Sequence, residues 1–240
     1  MLDLTAFDAL SFDCYGTLID WEPGILAVLG PRARRTKPEV TDEALLAAFA
    51  ANEDRVEAEH PAMLYSHVLR ETFRGIGADL GFEVSDSDAA ALGDSVPDWP
   101  AFPDSAEALR QLKQRYRLII LSNVHREGFA GSNRRLGVEF DAVLTAQDIG
   151  SFKPSDRNFE ALLAKTTEMG IAPGRLLHVA QSLYHDHVPA KRAGLPTVWI
   201  NRRGLPGGAV LAPDSPVTPD LEYASMAAFA AAVDEAFSAV

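Results

Sequence analysis

The sequence has little cysteine, few basic residues and no long apolar run. Its 240 residues include one cysteine, Cys14, which excludes an intramolecular disulfide and fits a reducing cytoplasm. Lysine and arginine number 22 against 34 aspartate and glutamate, and the net charge of -12 disfavours nucleic acid and anionic membranes as partners. No apolar run approaches the ~20 residues that cross a bilayer. We therefore expect a cytoplasmic protein, in which a pocket with local cations can still hold a small anionic substrate.

The second part of the chain has the pattern of an α/β fold. From about residue 100, short apolar runs alternate with amphipathic helical patterns, as they do in βαβ units with a parallel sheet. We predict a doubly wound, Rossmann-like parallel sheet. Its strands are expected at Leu10–Asp13, Leu118–Leu121, Ala142–Leu144, Leu176–Ala180 and Thr197–Ile200.

Residues 21–98 carry little strand pattern and separate the first strand from the others. Thr41, followed by two acidic residues, predicts the start of a helix whose apolar stripe includes Phe49 and Val56, and a second helix is expected over 63–73. An insertion here lies over the carboxyl ends of the strands, where such sheets bind ligands. We predict a helical cap domain over 21–98 and a core domain over 1–20 and 99–240.

Two core helices have recognisable end signals. Asp104, with Glu107 three residues later, is typical of a capping box at a helix start. A second helix is expected from about Asp156 to Met169, because Gly170 follows as a C-terminal signal.

Polar residues follow four of the predicted strands. Asp13 closes the first strand, and the next three strands are followed by Ser122-Asn123, Lys153-Pro154 and Ser182 through Asp186. Each residue alone has a plain interpretation as a turn or helix cap. In a parallel sheet, however, these strand ends meet at one crevice. Together they predict a site that holds a nucleophilic carboxylate, an ammonium and a second carboxylate.

These segments carry a family resemblance. They are similar to the motifs of the haloacid dehalogenase superfamily, and more closely to those of its type II haloacid dehalogenase branch. The matching runs are Asp13-Cys14-Tyr15-Gly16-Thr17-Leu18, Leu121-Ser122-Asn123, Lys153-Pro154, and Gln181 through Asp186 followed by Gly194 through Arg202.

The resemblance implies a mechanism. Asp13 would displace a leaving group from the carbon beside a substrate carboxylate, and water would hydrolyse the resulting aspartyl ester. Lys153 would keep Asp13 ionised, and Asp186 would position or activate the water. The expected substrate-binding residues are Tyr15, Thr17, Ser122, Asn123 and Ser182. The resemblance implies no metal or other cofactor, and homodimers are common in that branch.

Tyr15 separates two reactions. Phosphatases of the superfamily carry a second aspartate at this position, as the acid for the leaving alkoxide, and such acids contribute about a hundredfold or more. A halide needs no proton. We therefore expect a dehalogenase first and a phosphatase second, in which Asp13 and Asp186 would hold Mg²⁺. A catalytically weak carboxylate-binding homologue is the third alternative.

Two departures from the dehalogenase pattern bear on the activity. The branch carries a halide-binding arginine on an early cap helix, whereas the comparable stretch here, residues 49–53, has alanines at that place. Arg55 lies one turn further on, and Arg32, Arg34 and Arg35 lie upstream on an expected loop. The segment Ser182 through Asp186 is also one residue longer than its counterpart.

Other residues have mainly structural interpretations. We expect no zinc site from His178, His185 and His187, because no further histidine or cysteine cluster accompanies them. Cys14 is expected to be a buried thiol. The aromatic residues Trp21, Tyr65 and Trp99 are expected to flank the cap and its hinges, a position more typical of packing than of substrate contact.

Overall fold

The computed structural model describes residues 2–204 and 217–239, and within them one sheet of six parallel strands carries the fold. The strands are β1 (Ala9–Phe12), β2 (Arg117–Ser122), β3 (Ala142–Thr145), β4 (Leu176–Ala180), β5 (Thr197–Ile200) and β6 (Leu221–Tyr223). Their order is β3-β2-β1-β4-β5-β6. The predicted fold class is confirmed, with β6 as an additional strand. The chain order reverses between β1 and β4, which is where such sheets bind ligands.

Four helices make up residues 21–93, which follow β1. They are α1 (Trp21–Thr36), α2 (Asp42–Glu59), α3 (Tyr65–Leu80) and α4 (Asp86–Gly93). The Thr41 hydroxyl accepts a hydrogen bond from the backbone N–H of Ala44 (3.2 Å), as its N-cap position predicts. The predicted helical character of this segment is confirmed, whereas its status as a separate domain stays a prediction.

The expectation of a loop around Arg32, Arg34 and Arg35 was wrong. All three lie on α1, where Arg32 and Arg35 pair with Asp88 and Arg34 pairs with Asp42. Prolines and glycines in α1 hide its helical pattern, since proline interrupts the hydrogen bonding of a helix interior. The ion pairs with residues of α2 and α4 help to hold the three helices together.

The remaining helices cover both faces of the sheet. They are α5 (Ser105–Leu112), α6 (Arg126–Leu136), α7 (Ala146–Ile149), α8 (Asp156–Glu168), α9 (Val188–Arg192) and α10 (Met226–Ser238). Alternate residues of β2 point to opposite layers. Ile119 belongs to one buried cluster with Phe159, and Ile120 belongs to the other with Phe229. The predicted helix over 156–169 is confirmed, and Gly170 follows it with a φ of 72°.

The predicted capping box at Asp104 is wrong. Asp104 makes no cap hydrogen bond at the start of α5. Its carboxylate instead accepts from Arg202 Nη1 (2.8 Å) and from the backbone N–H of Ala227 (3.0 Å), so it serves the first turn of α10. Glu107 bonds Arg110. The guanidinium of Arg202, which is distant in sequence, binds the Asp104 carboxylate and so determines its orientation.

The hydropathy of the helices also bears on the membrane prediction. In the described ranges, no helix is both long enough and apolar enough to span a bilayer.

Candidate active site

Three charged side chains from separate strand ends meet in a buried cluster. Lys153 Nζ lies 2.9 Å from Asp13 Oδ1 and 2.7 Å from Asp186 Oδ1. Lys153 and Asp186 are 2% and 0% exposed, and Asp13 is 6% exposed. Asp13 follows β1, Lys153 follows β3 and α7, and Asp186 follows β4. The structure therefore brings together the three residues that sequence analysis selected as catalytic.

The turn after β1 orients the Asp13 carboxylate. Thr17 Oγ1 donates to Asp13 Oδ2 (2.6 Å) and accepts from the backbone N–H of Gln181 (2.9 Å). Gly16 has a φ of 94°, a conformation that favours glycine. Arg202 donates to the Thr17 carbonyl through Nη2 (2.8 Å) and so fixes the far side of the turn. Thr17 thus orients the Asp13 carboxylate, and its hydroxyl proton is directed to that carboxylate.

Burial and charge act on the cluster in opposite directions. Burial raises the pKa of Asp13, although the Lys153 ammonium and the Thr17 hydroxyl oppose the rise. Asp186 is buried as well, but Lys153 and His178 hold its pKa well below the usual range. Two carboxylates hold the pKa of the Lys153 ammonium above its ordinary value. Asp186 is thus the firmly ionised carboxylate of the pair.

A buried histidine connects Asp186 to the sheet. His178 Nε2 lies 3.0 Å from Asp186 Oδ1, and His178 Nδ1 lies 2.9 Å from Ser11 Oγ. Ser11 and His178 are register partners on β1 and β4. Sequence analysis weighed His178 only as a metal ligand. The contact depends on which strands pair, so spacing along the chain carried no signal for it.

The amide of Asn123 organises the loop of Lys153. Asn123 Oδ1 accepts from the backbone N–H of Lys153 (2.7 Å), and Nδ2 donates to the Lys153 carbonyl (3.0 Å) and to Glu57 Oε2 (3.0 Å). Both amide hydrogens are therefore engaged by the protein. Ser122 differs, because its Oγ is buried without a hydrogen-bond partner within the described residues. Of this pair, Ser122 has the side chain available to a ligand.

The longer segment after β4 forms a π-helical turn over Leu183–His187. Such a turn holds one residue more than an α-helical turn and occurs often at functional sites. Ser182 begins it, and its Oγ accepts from the backbone N–H of His185 (3.0 Å). The turn directs Asp186 toward Lys153. His187 bonds the Ala180 carbonyl, so the neighbouring histidines diverge. Among the described residues, no group of three or more His, Cys, Asp or Glu side chains is arranged to hold a metal.

A cavity of about 340 Å³ lies over the charged cluster. Its wall includes Tyr15, Ser122, Asn123 and Ser182 from the strand ends, and Trp21, Phe49, Ala50, Glu53, Glu57, Tyr65 and Trp99 from the helical segment and its junction. The aromatic residues expected to flank the cap thus line the cavity. In the described part of the chain, no arginine from α1–α4 lines it. Arg55 is directed to Asn52 and Glu59, away from the cavity.

Tyr15 forms part of the cavity wall, as expected. Its hydroxyl lies 2.9 Å from Ser132 Oγ, and its ring packs edge-on against Trp99 with centroids 5.5 Å apart. Burial raises the pKa of this phenol well above its usual value. Tyr15, which lies two positions after Asp13, is therefore a poor proton donor, and its hydroxyl is held by the contact with Ser132.

A family model decides the assignment of the chain. The model of haloacid dehalogenase-like hydrolases matches residues 7–194. The chain belongs to this family of hydrolases.

Relatives of this hydrolase include dehalogenases and a phosphatase. It is 28% identical over 211 residues to (S)-2-haloacid dehalogenase H-109 of Pseudomonas putida, an alignment that covers 82% of this chain and 87% of the relative. It is also 28% identical over 244 residues to 5-amino-6-(5-phospho-D-ribitylamino)uracil phosphatase of Escherichia coli, with coverage of 93% and 95%.

Solved structures share the fold of this hydrolase. The L-2-haloacid dehalogenase of Xanthobacter autotrophicus with covalently bound chloropropionic acid superposes with a TM-score of 0.77 at 19% identity, and covers 95% of this chain and 98% of that one. A defluorinating L-2-haloacid dehalogenase gives the same TM-score at 21% identity, with coverage of 95% of both chains.

Sequence analysis of this hydrolase missed two cavity residues, Glu53 and Glu57. Both lie on α2 and line the cavity. Acidic residues four apart on a helix are usually part of a solvated face. The sequence did contain a signal for them. Phe49 belongs to the apolar stripe of this helix, and Glu53 and Glu57 follow it at intervals of four residues, which places all three on the same side of the helix.

Proposed function

We propose that this hydrolase cleaves the carbon–halogen bond of short 2-haloalkanoic acids through an ester on Asp13. The observation that carries the proposal is the cluster of Asp13, Lys153 and Asp186 under a cavity walled by the strand ends and α2. The engaged hydroxyl of Tyr15 favours a leaving group that needs no proton. The dehalogenases among the relatives support the same reaction.

In the first step, the Asp13 carboxylate attacks the carbon that bears the halogen. A carbon–oxygen bond forms, the carbon–halogen bond breaks, and the halide leaves with the bonding electron pair. Lys153 and Thr17 hold the carboxylate ionised and in one orientation. Ser122, with its unengaged hydroxyl, is the side chain best suited to bind the substrate carboxylate.

In the second step, water attacks the carbonyl carbon of the Asp13 ester. Asp186 Oδ2 is buried and has no partner among the described residues, so it can accept a hydrogen bond from this water. The bond between the ester carbonyl and the product oxygen breaks, which releases the 2-hydroxy acid and restores the carboxylate. The remaining proton passes to solvent. Lys153 provides the positive charge beside the ester, so the scheme uses no cofactor.

Halide release tests this function. We expect 2-chloropropanoate or haloacetates to release halide with no added metal, and Asp13→Asn to abolish the release, because an amide cannot act as the nucleophile. Asp98→Asn is the matched control, since the Asp98 side chain is 87% exposed. An active Asp13→Asn variant, or a complete panel without halide release, would count against the proposal.

Phosphatase activity is the alternative outcome, motivated by the phosphatase relative. Mg²⁺-dependent hydrolysis of an aryl phosphate, lost in Asp13→Asn and unaccompanied by halide release, would assign that reaction instead.

A cytoplasmic location and a homodimer, both expected from the sequence and its resemblance, belong to the proposal as well. Light scattering in solution tests the homodimer.

A further inference from the structure

The wall of the cavity that α2 forms is acidic. Glu53 and Glu57 stand one turn apart on α2, on the side that also presents Phe49 and Ala50 to the cavity. Glu57 is 7% exposed. In the resembled dehalogenases, by contrast, this region of the cap carries an arginine.

Both glutamates are held by neutral donors. Asn123 Nδ2 donates to Glu57 Oε2 at 3.0 Å, and Tyr65 Oη donates to Glu53 Oε1 at 2.5 Å. Neither carboxyl forms an ion pair with a basic residue in the described ranges. Buried carboxylates are normally paired with a cation, because desolvation disfavours the charge. Lys153 acts on Glu57 only through space, without an ion pair, so a bound cation could pair with these two carboxyls directly.

The basic residues around the cavity are already engaged. Lys153 is shared by Asp13 and Asp186, Arg202 is bound by Asp104 and the Thr17 carbonyl, and Arg203 pairs with Glu22. The carboxyl side chains on the cavity wall are Asp13, Asp20, Glu22, Glu53, Glu57 and Asp186. The region next to α2 thus holds acidic groups for which no basic residue of the cavity wall remains, and this favours a positively charged ligand.

The pKa values of the two glutamates reflect their burial beside other acidic groups. Burial raises the pKa of Glu53 to about 7 and that of Glu57 well above its usual value; Asp54 adds to the rise for Glu53, and Glu53 and Asp54 add to the rise for Glu57. A bound cation would favour the ionised form of both side chains, because opposite charge lowers a carboxyl pKa.

Aromatic rings surround the same space. Trp21 and Phe49 pack with ring centroids 5.7 Å apart, and Tyr15 packs edge-on against Trp99 at 5.5 Å. Tyr65 completes the wall beside Glu53. Aromatic faces attract ammonium groups, and aromatic cages bind quaternary ammonium ligands. The rings are an observation independent of the acidic pair, and they favour the same kind of ligand.

The opposite wall offers a place for the other end of such a ligand. Ser122 is 3% exposed and lines the cavity, and its Oγ has no partner in the described part of the chain. A buried hydroxyl without a partner is costly unless a ligand or water satisfies it. The cavity therefore presents a hydroxyl without a partner at the strand ends and two carboxyls on α2.

We propose that the substrate carries an ammonium group in addition to the carboxylate beside its reactive carbon, and that Glu53 and Glu57 bind this ammonium. The inference rests on the proposed function and narrows its substrate class to short zwitterionic 2-haloacids. Asp13 forms and loses its ester as before, the halide leaves with its electron pair, and the ammonium is unchanged. Glu53 and Glu57 determine specificity without entering the bond changes.

A pair of shape-matched substrates tests the inference. The cationic probe is 2-chloro-4-(trimethylammonio)butanoate, and 2-chloro-5,5-dimethylhexanoate replaces its quaternary nitrogen with carbon. A quaternary nitrogen has no lone pair with which to displace the chloride by itself. We expect the cationic probe to have a kcat/KM about tenfold higher or more, mainly through KM, since desolvated charge pairs contribute measurably to affinity.

Variants assign the preference to the two glutamates. Glu53→Gln and the double variant Glu53→Gln/Glu57→Gln keep the side-chain shapes and remove one or both acidic groups, so the preference for the cationic probe should fall in the single variant and disappear in the double variant. Glu53→Gln alone leaves the Asn123 contact of Glu57 intact. Glu59→Gln is the matched control on the same helix, because the Glu59 side chain is 54% exposed and pairs with Arg55. A preference that survives in the double variant would overturn the assignment.

A binding measurement separates this inference from the proposed reaction. Calorimetry of the wild-type protein with 4-(trimethylammonio)butanoate and with 5,5-dimethylhexanoate needs no halide release. Tighter binding of the cationic ligand, reduced in Glu53→Gln, supports the acidic pair even if neither chloride is hydrolysed, in which case only the reaction fails. Equal or weaker binding of the cationic ligand overturns the inference, whatever the halide assay gives.

Discussion

The two carboxylates that share the Lys153 ammonium differ in their other contacts. Asp186 also bonds His178, whereas Asp13 bonds the neutral Thr17 hydroxyl and lies at the cavity. Lys153 and His178 lower the pKa of Asp186, and burial raises that of Asp13. The arrangement keeps a permanent charge on Asp186, the proposed water-positioning residue, and a less stabilised charge on Asp13, the proposed nucleophile. A less stabilised carboxylate is the better nucleophile of the two.

The raised pKa of Asp13 predicts the acid limb of the pH profile. Only the ionised carboxylate attacks, so activity is lost as the pH falls through the folded-state pKa. Because this pKa is raised, the limb of kcat/KM for halide release should lie above the ordinary aspartate value of about 4. Thr17→Val removes a hydrogen bond that lowers this pKa, and should move the limb to higher pH. A limb at or below about 4, or one that Thr17→Val leaves in place, would contradict the assignment.

At the residue scale, sequence reasoning succeeded where a strand end fixes the position. Asp13 and Asp186 come after the buried runs of β1 and β4, Lys153 comes after β3 and the short helix α7, and parallel strands bring such ends together. Glu53 and Glu57 follow no such rule, because the direction in which a helix face points depends on tertiary packing. The hydrogen bonds of Asn123 depend on the Lys153 loop, which is distant in the sequence.

At the element scale, the turn after β1 connects the sheet to the nucleophile. Gly16 has a φ of 94°, and a Cβ atom there would lie 3.1 Å from Gln181 Oε1 and 3.3 Å from Trp21 Nε1. The turn also presents Thr17 to Asp13 and to the backbone of Gln181. Its backbone conformation therefore determines both the position of the carboxylate and the packing of the cavity wall.

Gly16→Ala should both destabilise the protein and slow it. The positive φ and the close contacts predict a loss of about 1–2 kcal/mol in the free energy of unfolding, together with a lower kcat/KM from a displaced Thr17. Gly174→Ala is the matched control, because a Cβ atom there meets nothing within 4 Å and its φ is not positive. Urea denaturation measures both. Equal stability of the two variants would show that the turn is not constrained as described.

The strands that are buried along their whole length were the easiest to predict from the sequence. Strands β2, β4 and β5 are nearly continuous buried runs, which a sequence displays directly. Strand β6 was not predicted, because none of its three residues is fully buried. Helix α1 escaped because proline and glycine interrupt its pattern. The Asp104 cap was mispredicted because Arg202 competes for the same carboxylate.

At the scale of the whole molecule, the cavity arises where the helices between β1 and β2 meet the strand ends. The strand ends supply Asp13, Lys153, Ser122 and Asp186, and the helices supply the acidic and aromatic wall. The chemistry thus resides on the sheet, and the proposed specificity resides on α2. This arrangement explains why family motifs identify the reaction more readily than the substrate.

Single-turnover labelling in water enriched in oxygen-18 tests the central claim most directly. With enzyme in excess over 2-chloropropanoate, the product should receive an unlabelled oxygen from Asp13, and the peptide that contains Asp13 should gain oxygen-18, because water attacks the ester carbonyl. Mass spectrometry measures both species. Label in the 2-hydroxy acid, with none in the Asp13 peptide, would mean that water attacks the substrate directly and would contradict the account.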